Sequence, residues 1–140
     1  MAARTVILTP GASYDVTAPA LDLTGGAHPA GEWTARVALD IASAAPASPI
    51  LLVLAGQYAV HAAGLGFAQR SARRAVAGYA LVDPVLPPVG GDWPDAPVII
   101  ILTPNADADT RSAALGARLR GWEVLDGDPA TLIDEVAARA

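Results

Sequence analysis

The stretch from Ile50 to Gly66, ILLVLAGQYAVHAAGLG, constrains the fold more than any other part of the chain. Ile50 to Ala55 is an unbroken apolar run that follows Pro46 and Pro49, the pattern of a strand buried on both faces of a parallel sheet. Gly56 interrupts the run. From Tyr58 to Gln69 the residues are small and alanine-rich, which predicts a helix lying close on that strand. The same region has the composition of a membrane span: Ile50 to Ala68 holds only Gln57 and His61 as polar residues and is followed by Gln-Arg-Ser-Ala-Arg-Arg. Gly56, Gly64 and Gly66 inside it, and the β-rich Ile50 to Val53, argue for strand, tight turn and helix instead, so membrane association is not expected.

The rest of the chain repeats that rhythm. Thr5 to Thr9 reads as a short strand ended by Pro10-Gly11, and the weak alternation of Tyr14 to Ala18 as a second. A loop rich in glycine and proline then runs from Leu21 to Gly31. From Trp33, the residues Val37, Ala38, Ile41, Ala44 and Ala45 recur at helical spacing, closed by Pro46. Val76 to Val82 is a third clear strand, stopped by Asp83-Pro84; a proline-rich loop to Pro97 separates it from the strand Val98 to Leu102. Asp109 to Leu119 reads as a helix carrying Leu115 and Leu119, with Gly121 as its stop. Trp122 to Leu125 is a short last strand, and Pro129 to Ala140 a final helix with Leu132, Ile133, Val136 and Ala137 inward. Strands alternating with helices at this spacing predict a single α/β domain over residues 1–140, a doubly wound, mostly parallel sheet of about six strands flanked by helices.

Composition narrows the chemistry. A net charge of −5 argues against nucleic acid, which requires a concentrated basic surface. The basic cluster Arg70, Arg73 and Arg74 reads as a helix C-terminus whose dipole favours cations. With no cysteine there is no disulfide frame, thiolate chemistry or cysteine metal site; with no lysine there is no Schiff base and no phosphate-loop lysine. Two distant histidines among scattered aspartates give no metal-ligand spacing, so neither metal nor cofactor is expected. Gly64-Leu65-Gly66 lies inside a helix and so does not make a dinucleotide loop. The opening MAARTVILTPG is too short and too poorly apolar for a secretory signal, and a cytoplasmic location is expected.

Several segments, taken in order, resemble small actinobacterial α/β-hydrolase-like proteins. They are Val6-Ile-Leu-Thr-Pro-Gly11 as the strand before the oxyanion loop, Ala20-Leu-Asp-Leu-Thr-Gly25, Ala77-Gly-Tyr-Ala-Leu-Val-Asp-Pro84, Trp93-Pro-Asp-Ala-Pro97 and Arg118-Leu-Arg-Gly-Trp122. The resemblance implies a minimal hydrolase-like core in which Gly56-Gln57-Tyr58-Ala59-Val60 stands at the nucleophile elbow, normally G-x-S-x-G, with Tyr58 at the serine position. It also marks departures. Gln57-Tyr58 replaces the serine and the histidine that usually precedes it, Leu125-Asp-Gly-Asp-Pro129 carries no catalytic histidine, a proline-rich link stands in place of the lid, and two leading strands are expected to be absent. A Ser-His relay cannot be assembled at those positions.

Other residues remain candidates. His61, three residues after Tyr58, can neighbour it on a helix and form an acid–base pair with the phenol, or simply bond within a helix–sheet interface. Asp83 ends a strand at the ligand-binding edge of the sheet and matches a place where the family keeps its triad acid, although an Asp-Pro there also makes a turn. Asp107 and Asp109 follow the next strand near the other acid position, Asp109 with a helix N-cap as its simpler role. Gly11, Ala12 and Ser13 resemble the oxyanion loop, with Ala59 beside Tyr58 as a further ligand-binding position. His28 sits in the glycine- and proline-rich loop, from which it can reach the sheet edge, and Trp33, Trp93 and Trp122 read as packing residues, Trp93 with a partner surface as its alternative.

The resulting expectation is a degenerate hydrolase-like protein without Ser-His-Asp activity, acting as a binding or accessory subunit in a biosynthetic pathway. Loss of lid and leading strands uncovers apolar surface, so a homodimer or a partner protein is expected, with a small molecule or peptide as ligand. The alternative is a non-hydrolytic acid–base enzyme, an isomerase, epimerase, cyclase or lyase of secondary metabolism, using Tyr58 with His61 or Asp83. Residual ester hydrolysis is the third reading.

Overall fold

Four of the six strands are short apolar runs whose alternate residues face opposite helical layers, and that alternation sets the architecture. The computed structural model describes residues 2–26, 30–86 and 96–139. In chain order these form β1 (Thr5–Leu8), β2 (Ala20–Asp22), α1 (Trp33–Ala44), β3 (Ile50–Ala55), α2 (Ala62–Ser71), β4 (Val76–Val82), β5 (Val98–Leu102), α3 (Ala108–Arg118), β6 (Glu123–Asp126) and α4 (Pro129–Ala138). All strands are parallel and lie in the order β2-β1-β3-β4-β5-β6. The domain is therefore a doubly wound α/β fold.

On one face, Ile7, Leu52, Leu54 and Leu81 meet Trp33, Val37 and Ile41 of α1 and Ala62 and Leu65 of α2. Farther along that face Ile100 and Leu102 meet Ala114 and Ala117 of α3. On the other face Leu8, Leu51, Val53, Ala80 and Ile101 meet Ile133, Val136 and Ala137 of α4. β3 sits in the middle of this arrangement, with Ile50 to Leu54 buried throughout.

Several local expectations are corrected. Tyr14 to Ala18 is not a strand: Tyr14, Val16 and Ala18 turn inward to cover the α4 face of the sheet. β1 is already paired with β2 and β3 on its two edges, so no edge is left for this segment to join. The second strand is Ala20–Asp22, inside what the glycine content suggested was loop. The helix expected from Tyr58 begins as a 3-10 turn over Gly56–His61 and becomes α-helical at Ala62. On α3, Leu115 and Leu119 point outward, 61% and 91% exposed, and the inward positions are the small Ala114 and Ala117.

In place of strand hydrogen bonds, the segment after β1 is fastened by a single carboxylate. Asp134 on α4 accepts from Thr17 N at 2.9 Å, Ala18 N at 3.0 Å and Thr17 Oγ1 at 2.9 Å. Partial burial pushes this carboxyl up, but the hydrogen bonds from Thr17 and Ala18 outweigh it and hold Asp134 below the usual carboxylate range. A folded-state pKa lowered in this way adds stability above the unfolded value, and that stability is lost as pH falls through the folded value. Asp134→Asn is accordingly expected to lower the urea midpoint at pH 7, with the gap from the parent narrowing towards pH 3; equal gaps at both pH values would contradict the clamp.

Candidate functional site

Because every strand runs the same way, their C-terminal ends form one rim, carrying Gly11, Gly56, Asp83, Thr103 and Asp126. The chain leaves β1 towards β2 and leaves β3 towards β4, so the order reverses between β1 and β3; in open α/β sheets ligands bind in the crevice at that reversal. Two glycines flank it in left-handed conformation, Gly11 at φ +93° and Gly56 at φ +56°, a region glycine enters without a Cβ clash.

Tyr58 lies in this crevice. A Cβ placed on Gly11 would fall 2.6 Å from Tyr58 Cε2 and 2.7 Å from Cδ2, so the phenol ring lies directly against the Gly11 backbone. The ring also stacks on Trp33, with centroids 5.4 Å apart and planes 17° from parallel, and Trp33 stacks in turn with His61 at 4.9 Å and 20°. Such offset stacks add to the burial energy of the rings. Trp33 opens α1 and is 1% exposed, and its Nε1 meets no hydrogen-bond partner among the described residues, an unfavourable state for a buried donor. Burial lowers the His61 pKa from its ordinary value, which favours the neutral imidazole.

Tyr58 and His61 are thus brought together through an indole, and no hydrogen bond joins phenol to imidazole. Gln57 is exposed and Ala59 is buried in the 3-10 turn. Ala12 is fully buried, and its N–H donates to Thr9 O at 2.9 Å; that turn uses up the donor that would have faced an oxyanion. His28 and Trp93 lie outside the described residues.

Asp83 belongs to a different neighbourhood. It holds φ +42°, uncommon for a residue with a side chain, and its carboxylate accepts from Thr103 N at 2.8 Å and from Thr103 Oγ1. Its own N–H donates to Ile101 O at 2.9 Å, so Asp83 ties the end of β4 to the end of β5. The Tyr14 phenol is pushed up by burial and then by the Asp83 charge. Asp107 caps α3 by accepting from Thr110 N at 2.8 Å, with extended backbone as an N-cap requires. The cap assigned from sequence to Asp109 therefore sits two residues earlier, and Asp109 lies in the first turn. Among the described residues no three acidic or histidine side chains are placed to hold a metal ion.

Sequence reading missed three participants: Trp33, Tyr14 and Thr103. A tryptophan at a helix start, a tyrosine in a loop and a threonine after a strand carry no local signal of the partners that the fold gives them. Gly11→Ala is expected to lower stability by about 1–3 kcal/mol, from overpacking against the ring together with the left-handed backbone. In a double-mutant cycle with Tyr58→Ala, part of that loss should disappear, with a coupling of roughly 0.5–3 kcal/mol in chemical denaturation; zero coupling would mean that ring and glycine do not share the crevice.

No protein-family model matches this chain, and neither do any curated protein or any solved structure, so its function has to be read from the rim itself.

Proposed function

We propose that this chain is a binding or accessory subunit, a degenerate relative of the α/β-hydrolases without Ser-His-Asp activity, that works by associating with a second copy or a partner protein. The observation that carries this reading is the Tyr58 ring, which lies against Gly11 and Trp33 in the crevice between β1 and β3 where a substrate would enter. A nucleophile elbow needs its reactive side chain on the strained strand-to-helix turn. The left-handed residue of this bend is Gly56, which has no side chain, while Tyr58 lies two residues on in a 3-10 turn. An association role draws support from the surface, where Leu39, Val60, Phe67, Leu115 and Leu119 are exposed on the α1, α2 and α3 side of the sheet.

A second reading is a non-hydrolytic acid–base enzyme using Tyr58 with His61 or Asp83. One observation favours it: a half-buried imidazole with a lowered pKa shares an indole with a phenol at the rim.

These readings separate in the test tube. The binding reading predicts no turnover of p-nitrophenyl esters, no labelling by fluorophosphonates, and a species larger than a monomer by light scattering, shifted towards monomer by Leu39→Ser with Phe67→Ser. Ester turnover abolished by Tyr58→Phe would overturn it, as would a monodisperse monomer across the accessible concentration range with no partner bound.

A further inference from the structure

A second concave site lies at the opposite edge of the sheet, where α2 ends and β4 begins. Arg70, Arg73 and Arg74 line a cavity of about 300 Å³ together with Tyr79 and the apolar Ala75 and Val76. In a chain of net charge −5, three arginines on one cavity, with no carboxylate in its lining among the described residues, form a local positive focus. Three of the other six arginines are neutralised: Arg36 meets Glu32, Arg111 meets Asp126 and Arg139 meets Glu123. Arg70 and Arg73 meet no carboxylate among the described residues. Arg74 donates to Oε1 of the buried Gln69 at 2.8 Å, which fixes its guanidinium without neutralising it.

The backbone adds a second observation. Arg74 N donates to Gln69 O at 2.9 Å and Arg73 N to Arg70 O at 3.0 Å, the two bonds of a Schellman ending. The left-handed position of that ending belongs by preference to glycine, yet Arg73 occupies it at φ +56°. A dipole-complementing role asks only for cations near the last carbonyls, and the Schellman bonds already satisfy two of those. It does not explain why a long cationic side chain is held in a strained backbone against a cavity.

We infer that this cavity binds a small organic phosphate, a phosphomonoester dianion held by the forks of Arg70 and Arg73, with its short apolar group against Ala75 and Val76. Guanidinium forks match phosphate oxygens in pairs, and the cavity volume sits at the small end of ligand sites. Burial pushes the phenol of Tyr79 in the lining up to about 12, partly offset by Arg70. The inference does not depend on the reading given to the Tyr58 crevice, which lies at the other rim.

Titration of the full chain with phenyl phosphate, followed by calorimetry and by amide chemical shifts, is expected to give saturable one-to-one binding, with shifts centred on residues 70–79. Inorganic phosphate should bind at the same residues more weakly, and phenol should not bind. Arg70→Ala should weaken phenyl phosphate by roughly 10- to 100-fold. Arg73→Gly is the decisive variant: it should fold with an unchanged or raised unfolding midpoint and still lose binding to the same extent. Arg118→Ala, outside the cavity, should bind as the parent does. Absence of saturation, parent-like affinity in Arg73→Gly, or equal weakening by Arg118→Ala would overturn the site.

Discussion

β3 has no wet side. With Ile50 to Leu54 buried, its peptide groups must find partners on both edges and its side chains must find cover on both faces. β1 and β4 supply the edges, and α1 with α2 on one face and α4 on the other supply the cover. A strand flanked in this way forces the chain to pass over the sheet on both sides, which creates the reversal between β1 and β3. The crevice at the rim is thus a by-product of burying one run of five residues.

What lies in that crevice follows from small residues as much as from aromatic ones. Gly11 has to lack a side chain for the Tyr58 ring to approach its backbone, and Trp33 has to open α1 for the ring to have something to lie on. The three come from three elements, and none has meaning alone. At the same rim Asp83 spends its carboxylate on Thr103, so the acid nearest the centre of the sheet serves as a rivet between two strands.

Legibility in the sequence followed burial. β3, β4 and β5 were readable because strands covered on both faces are written as continuous apolar runs, and α1 and α4 because their inward residues repeat at helical spacing. β2 was not readable: three residues at an exposed edge carry neither signal, and the true alternation of Tyr14, Val16 and Ala18 belongs to a loop that covers the sheet without pairing to it. α3 was located but its facing was not evident, since its contact with the sheet uses alanines while its leucines look outward. At the rim, the positions of Tyr58 and Asp83 were predictable from the ends of their strands. Their partners were not, because Gly11, Trp33 and Thr103 become neighbours only when the sheet is assembled.

The two flanks of the sheet bear on how this protein can meet others. β2 offers three residues of open backbone, too few to template a foreign strand. β6 carries acidic side chains at both ends, Glu123 gripped by Arg139 and Asp126 by Arg111, so an incoming strand would have to lie alongside a fence of fixed charge. Both flanks therefore disfavour strand addition. Exposed apolar side chains stand instead on the helices, with Leu39 on α1, Phe67 on α2 and Leu115 on α3, while the sheet between them is a sealed interior.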